Sequence, residues 1–188
     1  MKKPTSHRFV SRGGDKLDAA MDAFELTTTD LVCADLGSHV GGFVDCLLQR
    51  GANRVYSVDT SYGTLAWTLR RDPRVVVLER TNAMHLDLPE PVDLVTIDVG
   101  WTRQSKILPT AARLLTPVGH VVTLVKPHYE VEKSLLVDGV LPDEHFDSVT
   151  SDVLRAIEQS GWNVVAKCES PIRGHGGNRE LFALLTHR

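Results

Sequence analysis

The 188-residue chain predicts an α/β fold, a doubly wound, Rossmann-like sheet of seven strands with an antiparallel last strand. Three observations carry that expectation. Seven short apolar runs occur, at residues 31–36, 54–59, 75–78, 92–98, 120–126, 163–168 and 181–185, each of strand length. Most are separated by segments with helical spacing of apolar positions, at 42–49, 63–71, 106–115 and 143–159. The first run opens directly into a glycine-rich turn, DLGSHVGGF.

Taken in order, a helix at residues 15–24 precedes the first strand, and strands then alternate with helices as in successive βαβ units. The fifth run is buried in character: four of the six residues from Val121 to Lys126 are Val or Leu, which suits a strand covered on both faces. It stops abruptly at Lys126. The last two strands are joined by the loop SPIRGHGGNRE and not by a helix, so they should pair antiparallel, because a parallel pair needs a crossover.

Composition narrows the class further. At 42% hydrophobic and 24% charged residues the chain has ordinary soluble composition, and its length suits one domain with a substantial core. No apolar run approaches the ~20 residues of a membrane span, and MKKPTSHR leads to no hydrophobic signal core, so a cytoplasmic protein with no membrane association is expected. Cys33, Cys46 and Cys168 lie far apart without a CxxC pair, and the eight histidines show no metal-binding spacing; neither a disulfide framework nor a metal site is expected. Net charge is -3, yet residues 1–16 hold Lys2, Lys3, Arg8, Arg12 and Lys16 against Asp15 alone. A polyanion would meet that N-terminal side, unless it is only a solvated basic tail.

In an open parallel sheet, ligands bind outside the carboxyl ends of the strands. Three of the relevant strand endings, DLGSHVGGF, SVDTSYG and TIDVGW, present a carboxylate, and the fourth, VKPHYE, presents Lys126. Gly37, Gly41 and Gly42 permit a tight turn and close approach of a ligand to the backbone. Asp59 follows Gly37 by 22 residues, the place for an acid that accepts from both ribose hydroxyls of a nucleoside cofactor. The spacing GxxxGG differs from the GxGxxG of dinucleotide sites, and the loop offers His39 but no Lys or Arg for a pyrophosphate. S-adenosylmethionine, which has no phosphate, therefore fits better than NAD.

The blocks RFVSRGGDKLDAA, DLGSHVGGFVDCLLQRGANRVYSVDTSYGTLAWTLRRDPRVVVLERTN, TIDV, ILPTAARLL, LVKPHYE and GNRELFALL resemble, in order, the TlyA-type methyltransferases within the wider FtsJ-like class of ribosomal RNA methyltransferases. The resemblance runs from about Arg8 onward. It implies the S-adenosylmethionine-dependent methyltransferase fold, methylation of a ribose 2'-hydroxyl in ribosomal RNA, and a basic segment at 1–13 ahead of a methyltransferase domain at 14–188. It also implies a catalytic tetrad of Lys16, Asp98, Lys126 and Glu180, with Gly37, Ser38, Gly41, Gly42, Asp59, Asn82 and Asp98 at the cofactor. Tyr62 and Ala83 are candidate apolar walls of that site. Arg8, Arg12 and Trp101 are candidate RNA contacts, whereas Trp67 and Trp162 read as packing residues.

The tetrad makes chemical sense. A ribose hydroxyl is a poor nucleophile at neutral pH and needs a base or nearby positive charge as it attacks a sulfonium methyl. A partly desolvated lysine beside a second cation can serve, with acids orienting it. The expectation is that Asp98 and Glu180 hold Lys126 while Lys16 positions the hydroxyl.

This chain departs from the family at His39-Val40 and Gly100-Trp101, which flank the cofactor and substrate positions. The family usually carries an S4-like RNA-binding domain before the methyltransferase, and about seven residues precede the matching region here. A homodimer or partner protein is the expected substitute. A closed pocket over Lys126 would instead favour a small-molecule acceptor, an open basic groove from Arg8 and Arg12 past Arg70, Arg71 and Arg74 would favour RNA, and a non-catalytic cofactor-binding module is the remaining alternative.

Overall fold

Short Val- and Leu-rich runs that cannot bury themselves alone condense into one sheet. In the computed structural model, which describes residues 8–188, the strands are β1 (Val32–Leu36), β2 (Arg54–Val58), β3 (Val75–Leu78), β4 (Val92–Ile97), β5 (Leu115–Val125), β6 (Trp162–Glu169) and β7 (Leu181–His187). The helices are α1 (Arg12–Ala23), α2 (Gly42–Gln49), α3 (Trp67–Arg70), α4 (Gln104–Leu114), α5 (Pro127–Glu130) and α6 (Asp143–Gln159). The sheet order is β3-β2-β1-β4-β5-β7-β6. Strands β1 to β5 pair in parallel, and β7 runs antiparallel to both of its neighbours, β5 and β6. The strand order reverses direction between β1 and β4, the switch point at which neighbouring loops diverge and leave a crevice.

Alternate side chains along the inner strands feed two cores. Leu17, Phe43, Leu47, Val122, Leu124 and Phe182 pack on the face covered by α1 and α2. Ile107, Leu108, Val121, Val125, Leu154 and Ile157 pack on the face covered by α4 and α6. Phe182 is fully buried with its ring centroid 6.0 Å from that of Phe43. Burying a side chain of this size contributes about 2–3 kcal/mol.

Several boundaries differ from the sequence reading. The first helix starts at Arg12, not 15, because Gly13 and Gly14 lie inside it, and a side chain at Gly14 would collide with the buried ring of Phe9. The helix expected at 63–71 shrinks to Trp67–Arg70: Gly63 has φ 75°, its amide donates to Glu79, and the preceding residues form a hydrogen-bonded loop. After Val125 a single helical turn, Pro127–Glu130, follows Lys126, with proline at its first position where no amide donor is needed. Among the described residues no helix is long and apolar enough to cross a membrane.

Candidate active site

The carboxyl ends of β1, β2, β4 and β5 surround two adjoining cavities, of about 450 Å³ and about 350 Å³. Gly37, His39, Asp98 and Lys126 line both, so these four residues form the shared wall. Gly37 has φ 95°, and a Cβ there would lie 2.5 Å from the carbonyl oxygen of Asp98; only glycine lets the loop after β1 lie this close to the end of β4.

The larger cavity has Asp59 at one end and Asn82, Ala83 and Met84 along its floor. Asp59 accepts from the Ser61 amide at 2.7 Å and the His39 amide at 2.8 Å. Burial pushes its carboxyl up, but these hydrogen bonds prevail and hold it below the usual carboxylate range. Asn82 caps the turn Ala83–His85 through the Met84 amide, which leaves its own amide group at the cavity edge. An ionised acid at one end and a small amide at the other suit a ribose diol and a purine.

The smaller cavity contains Ser38, Gly42 and Asp35. Sequence reasoning assigned Asp35 no ligand role, although an acid two positions before Gly37 was visible; its burial was not. Asp35 is fully buried, Thr96 donates to its Oδ1 at 2.7 Å, and its Oδ2 has no hydrogen-bond partner. Burial pushes its pKa up to about 7, against the pull of the Thr96 hydrogen bond, with Asp98 and Asp59 adding like charge. A buried, unpartnered carboxylate oxygen beside a cavity fits a cationic ligand group. Gly41, expected at the ligand, lines neither cavity: its φ is 100° and a side chain there would strike Leu69 and Leu65, so it serves the packing of α3 under the loop.

The four tetrad positions converge, but not in the expected pairing. Lys126 Nζ lies 2.6 Å from Asp98 Oδ1 and donates to the Val99 carbonyl at 3.1 Å. Glu180 instead accepts from Lys16 Nζ at 2.6 Å. Glu180 sits at the start of β7 and α1 carries Lys16 to it, so the antiparallel strand brings the last block of the chain against the first helix. The smaller cavity is lined by all four side chains. Among the described residues no cluster of His, Cys, Asp and Glu is placed to hold a metal ion.

On the outer side, Trp101 is 86% exposed, has φ 58°, and stacks on Tyr129 with ring centroids 4.9 Å apart at 28°. Tyr129, two residues after Pro127, was not anticipated from sequence; the turn of α5 presents it. The neighbouring His128 is pushed down to about 4 by burial and by the Lys126 charge. Arg12 is exposed at the mouth of the smaller cavity. Arg8 lines neither cavity: it pairs with Asp18, a carboxylate that also binds Arg50. Tyr62 is likewise not a cavity wall, being 69% exposed, while Ala83 is one. Of the arginines along the candidate basic groove, Arg70 pairs with Glu79 and Arg74 with Asp72.

A seven-stranded sheet with an antiparallel β7 between β5 and β6, holding acids at the ends of β1, β2 and β4 around a cleft, defines the Rossmann-like methyltransferase class. An S-adenosylmethionine dependent methyltransferase from Mesorhizobium loti has this fold with TM-score 0.65 at 19% identity, over 90% of this chain and 96% of that one. Residues 9–187 match the family of FtsJ-like methyltransferases, and the chain belongs to that family. It is 41% identical over 184 residues to the 16S/23S rRNA (cytidine-2'-O)-methyltransferase TlyA of Mycobacterium tuberculosis, covering 94% of this chain and 68% of that protein. A Streptococcus thermophilus protein described as a hemolysin superposes with TM-score 0.90 at 35% identity, over 98% of this chain and 69% of the other.

Proposed function

We propose that this protein transfers a methyl group from S-adenosylmethionine to a ribose 2'-hydroxyl of ribosomal RNA, in the cytoplasm where ribosomes are made. The observation that carries the reading is the shared wall: Asp98 and Lys126 border both cavities, so a donor spanning the two would be flanked by this pair. The residues fit that donor. Asp59 and Asn82 would hold its ribose and base, and Asp35 and Ser38 its charged amino-acid end. When bound, S-adenosylmethionine supplies an electrophilic methyl on a sulfonium.

The chain's own residues then prepare the acceptor. Lys126 donates to Asp98 and to the Val99 carbonyl, which leaves one of the three ammonium hydrogens for the acceptor oxygen. The Lys16–Glu180 pair stands on the other side of the same cavity and limits where the ribose can sit. Lys126 would then be a fixed cation facing the negative charge that develops on the acceptor oxygen, and Asp98 or water would take up the hydroxyl proton. The exposed Trp101–Tyr129 stack beside this point offers an aromatic surface for the acceptor base, and Arg12 a cation for a nearby phosphate.

The test is transfer of labelled methyl from S-adenosylmethionine to unmethylated ribosomal subunits and to free ribosomal RNA, with Lys126→Ala in parallel. The expected result is label on ribose, reduced on the order of 100-fold or more in the variant, with cofactor affinity retained. Label on a base, or no transfer to either RNA while cofactor binds normally, overturns the assignment.

A further inference from the structure

We infer that Glu130 is a positioning residue for methyl transfer: its carboxylate clamps the loop after β4 to the turn after β5 and so fixes Lys126 against Asp98. This role rests on the reading of the protein as a methyltransferase and adds a group that touches neither donor nor acceptor. Glu130 lines neither of the two adjoining cavities. It is half-buried and borders a separate cleft of about 260 Å³ between α4 and α6, lined also by Leu108, Val153 and Ile157.

Lys126 follows β5 and Asp98 follows β4, so the two meet only if the segments leaving these strands stay in register. Contacts join those segments along their length. Lys126 binds Asp98 and the Val99 carbonyl, Tyr129 stacks on Trp101, and Glu130 Oε1 accepts from the Gln104 amide at 2.8 Å. The last contact is the sheltered one, since Gln104 is 4% exposed whereas Trp101 is 86% exposed. A charge-assisted hydrogen bond withdrawn from water is strong and is not readily exchanged for solvent. The exposed Arg103–Glu132 pair, at 3.4 Å, adds little to it.

The start of α4 needs an acceptor from elsewhere. A helix opens with four amides that have no partner inside it, and a Ser, Thr, Asp or Asn at the N-cap commonly satisfies one of them. Here the N-cap is Arg103, which makes no capping hydrogen bond, and the hydroxyl of the preceding Thr102 donates to the Gly100 carbonyl. Glu130 supplies the acceptor from α5, and a negative charge suits that end of the helix. The Gln104 side chain is fixed as well, its Oε1 accepting from the buried Thr123 hydroxyl on β5 at 2.8 Å. The first residue of α4 is therefore tied to β5 through its side chain and to α5 through its main chain. Little slack separates this clamp from Lys126. The turn α5 has Lys126 at its N-cap and Pro127, with its fixed φ, at its first position, and the Tyr129 amide donates to the Lys126 carbonyl at 2.9 Å. A displacement of Glu130 is carried through one helical turn to Lys126, and a shift of ~1 Å in a reacting group can slow a reaction about 100-fold.

The experiment uses the intact chain with Glu130→Ala and Glu130→Gln, because glutamine keeps an acceptor oxygen for the Gln104 amide. It reads hydrogen exchange at that amide by NMR, S-adenosylmethionine affinity, and the single-turnover rate of methyl transfer at saturating RNA and donor. Glu130→Ala is expected to speed exchange at Gln104 and to lower the rate about 10-fold or more, with donor affinity within about 2-fold of wild type. Glu130→Gln is expected to restore most of the rate and of the exchange protection. A lower melting temperature in Glu130→Ala with an unchanged rate would make the residue structural only and overturns the inference. Equal loss of rate in both variants overturns it too, because the charge and not the hydrogen bond to Gln104 would then be responsible. Wild-type protein that binds donor but methylates no RNA removes the enzymatic reading alone; exchange at Gln104 still decides the clamp, which fails if Glu130→Ala leaves that exchange unchanged.

Discussion

Asp35→Asn should make the ligand-free protein more stable at pH 8 and to a smaller extent at pH 5. In the folded chain the Asp35 pKa is raised from 3.8 to about 7 by burial, so the folded state binds a proton that the unfolded state has released. A raised folded pKa contributes stability that is fully present below about pH 4 and is lost as pH rises through about 7. Raising that pKa from 3.8 to about 7 corresponds to ~4 kcal/mol as an upper figure, or on the order of 10 °C in melting temperature for a chain of this size. Asparagine keeps an oxygen for Thr96 and removes the ionisation, so it removes the loss. Bound S-adenosylmethionine would reverse the preference, because its ammonium group favours ionised Asp35, and wild-type cofactor affinity should rise between pH 6 and 8 while that of the variant stays flat and weaker. The assays are thermal unfolding and calorimetric binding across pH 5 to 8.5. Parallel stability profiles for the two proteins, or a cofactor affinity in the wild type that ignores pH, would refute the reasoning.

Two further substitutions probe the reaction side. Gly174→Ala places a Cβ against the Glu180 carboxylate and should break its pair with Lys16; methyl transfer should fall at least 10-fold in single-turnover measurements, with cofactor affinity unchanged. Trp101→Ala removes a side chain that is almost wholly in solvent, so the melting temperature should move by less than about 2 °C while KM for RNA rises roughly 5-fold or more. Steady-state kinetics that show a change in kcat with KM untouched would remove Trp101 from the substrate site.

The alternation of apolar runs and helical segments was readable because each element has its own period, and the pairing of β6 with β7 followed from a loop too short for a crossover. Boundaries failed where hydrogen bonds outside the element prevailed over periodicity, as at residues 61–63, where Asp59, accepting from the Ser61 amide, and Glu79, accepting from the Gly63 amide, hold the chain in a loop. Trp67 shows the same limit at a side chain. Its helical setting LAWTL reads as packing, yet a helix of one short turn leaves the ring in solvent.

By itself the sequence determined the class of fold, the membership of a methyltransferase family, and which residue types stand at the strand ends, because these depend on local period and on ordered motifs. Only the tertiary structure decided which charge meets which. Lys16 and Glu180 are separated by 164 positions in the chain and pair at 2.6 Å because β7 inserts beside β5 and α1 packs over that end of the sheet. Tertiary packing likewise buries Asp35, on β1 between β2 and β4, and leaves one of its oxygens without a partner. Coulomb interactions and desolvation depend on distance and burial in space, and neither is a property of residue order.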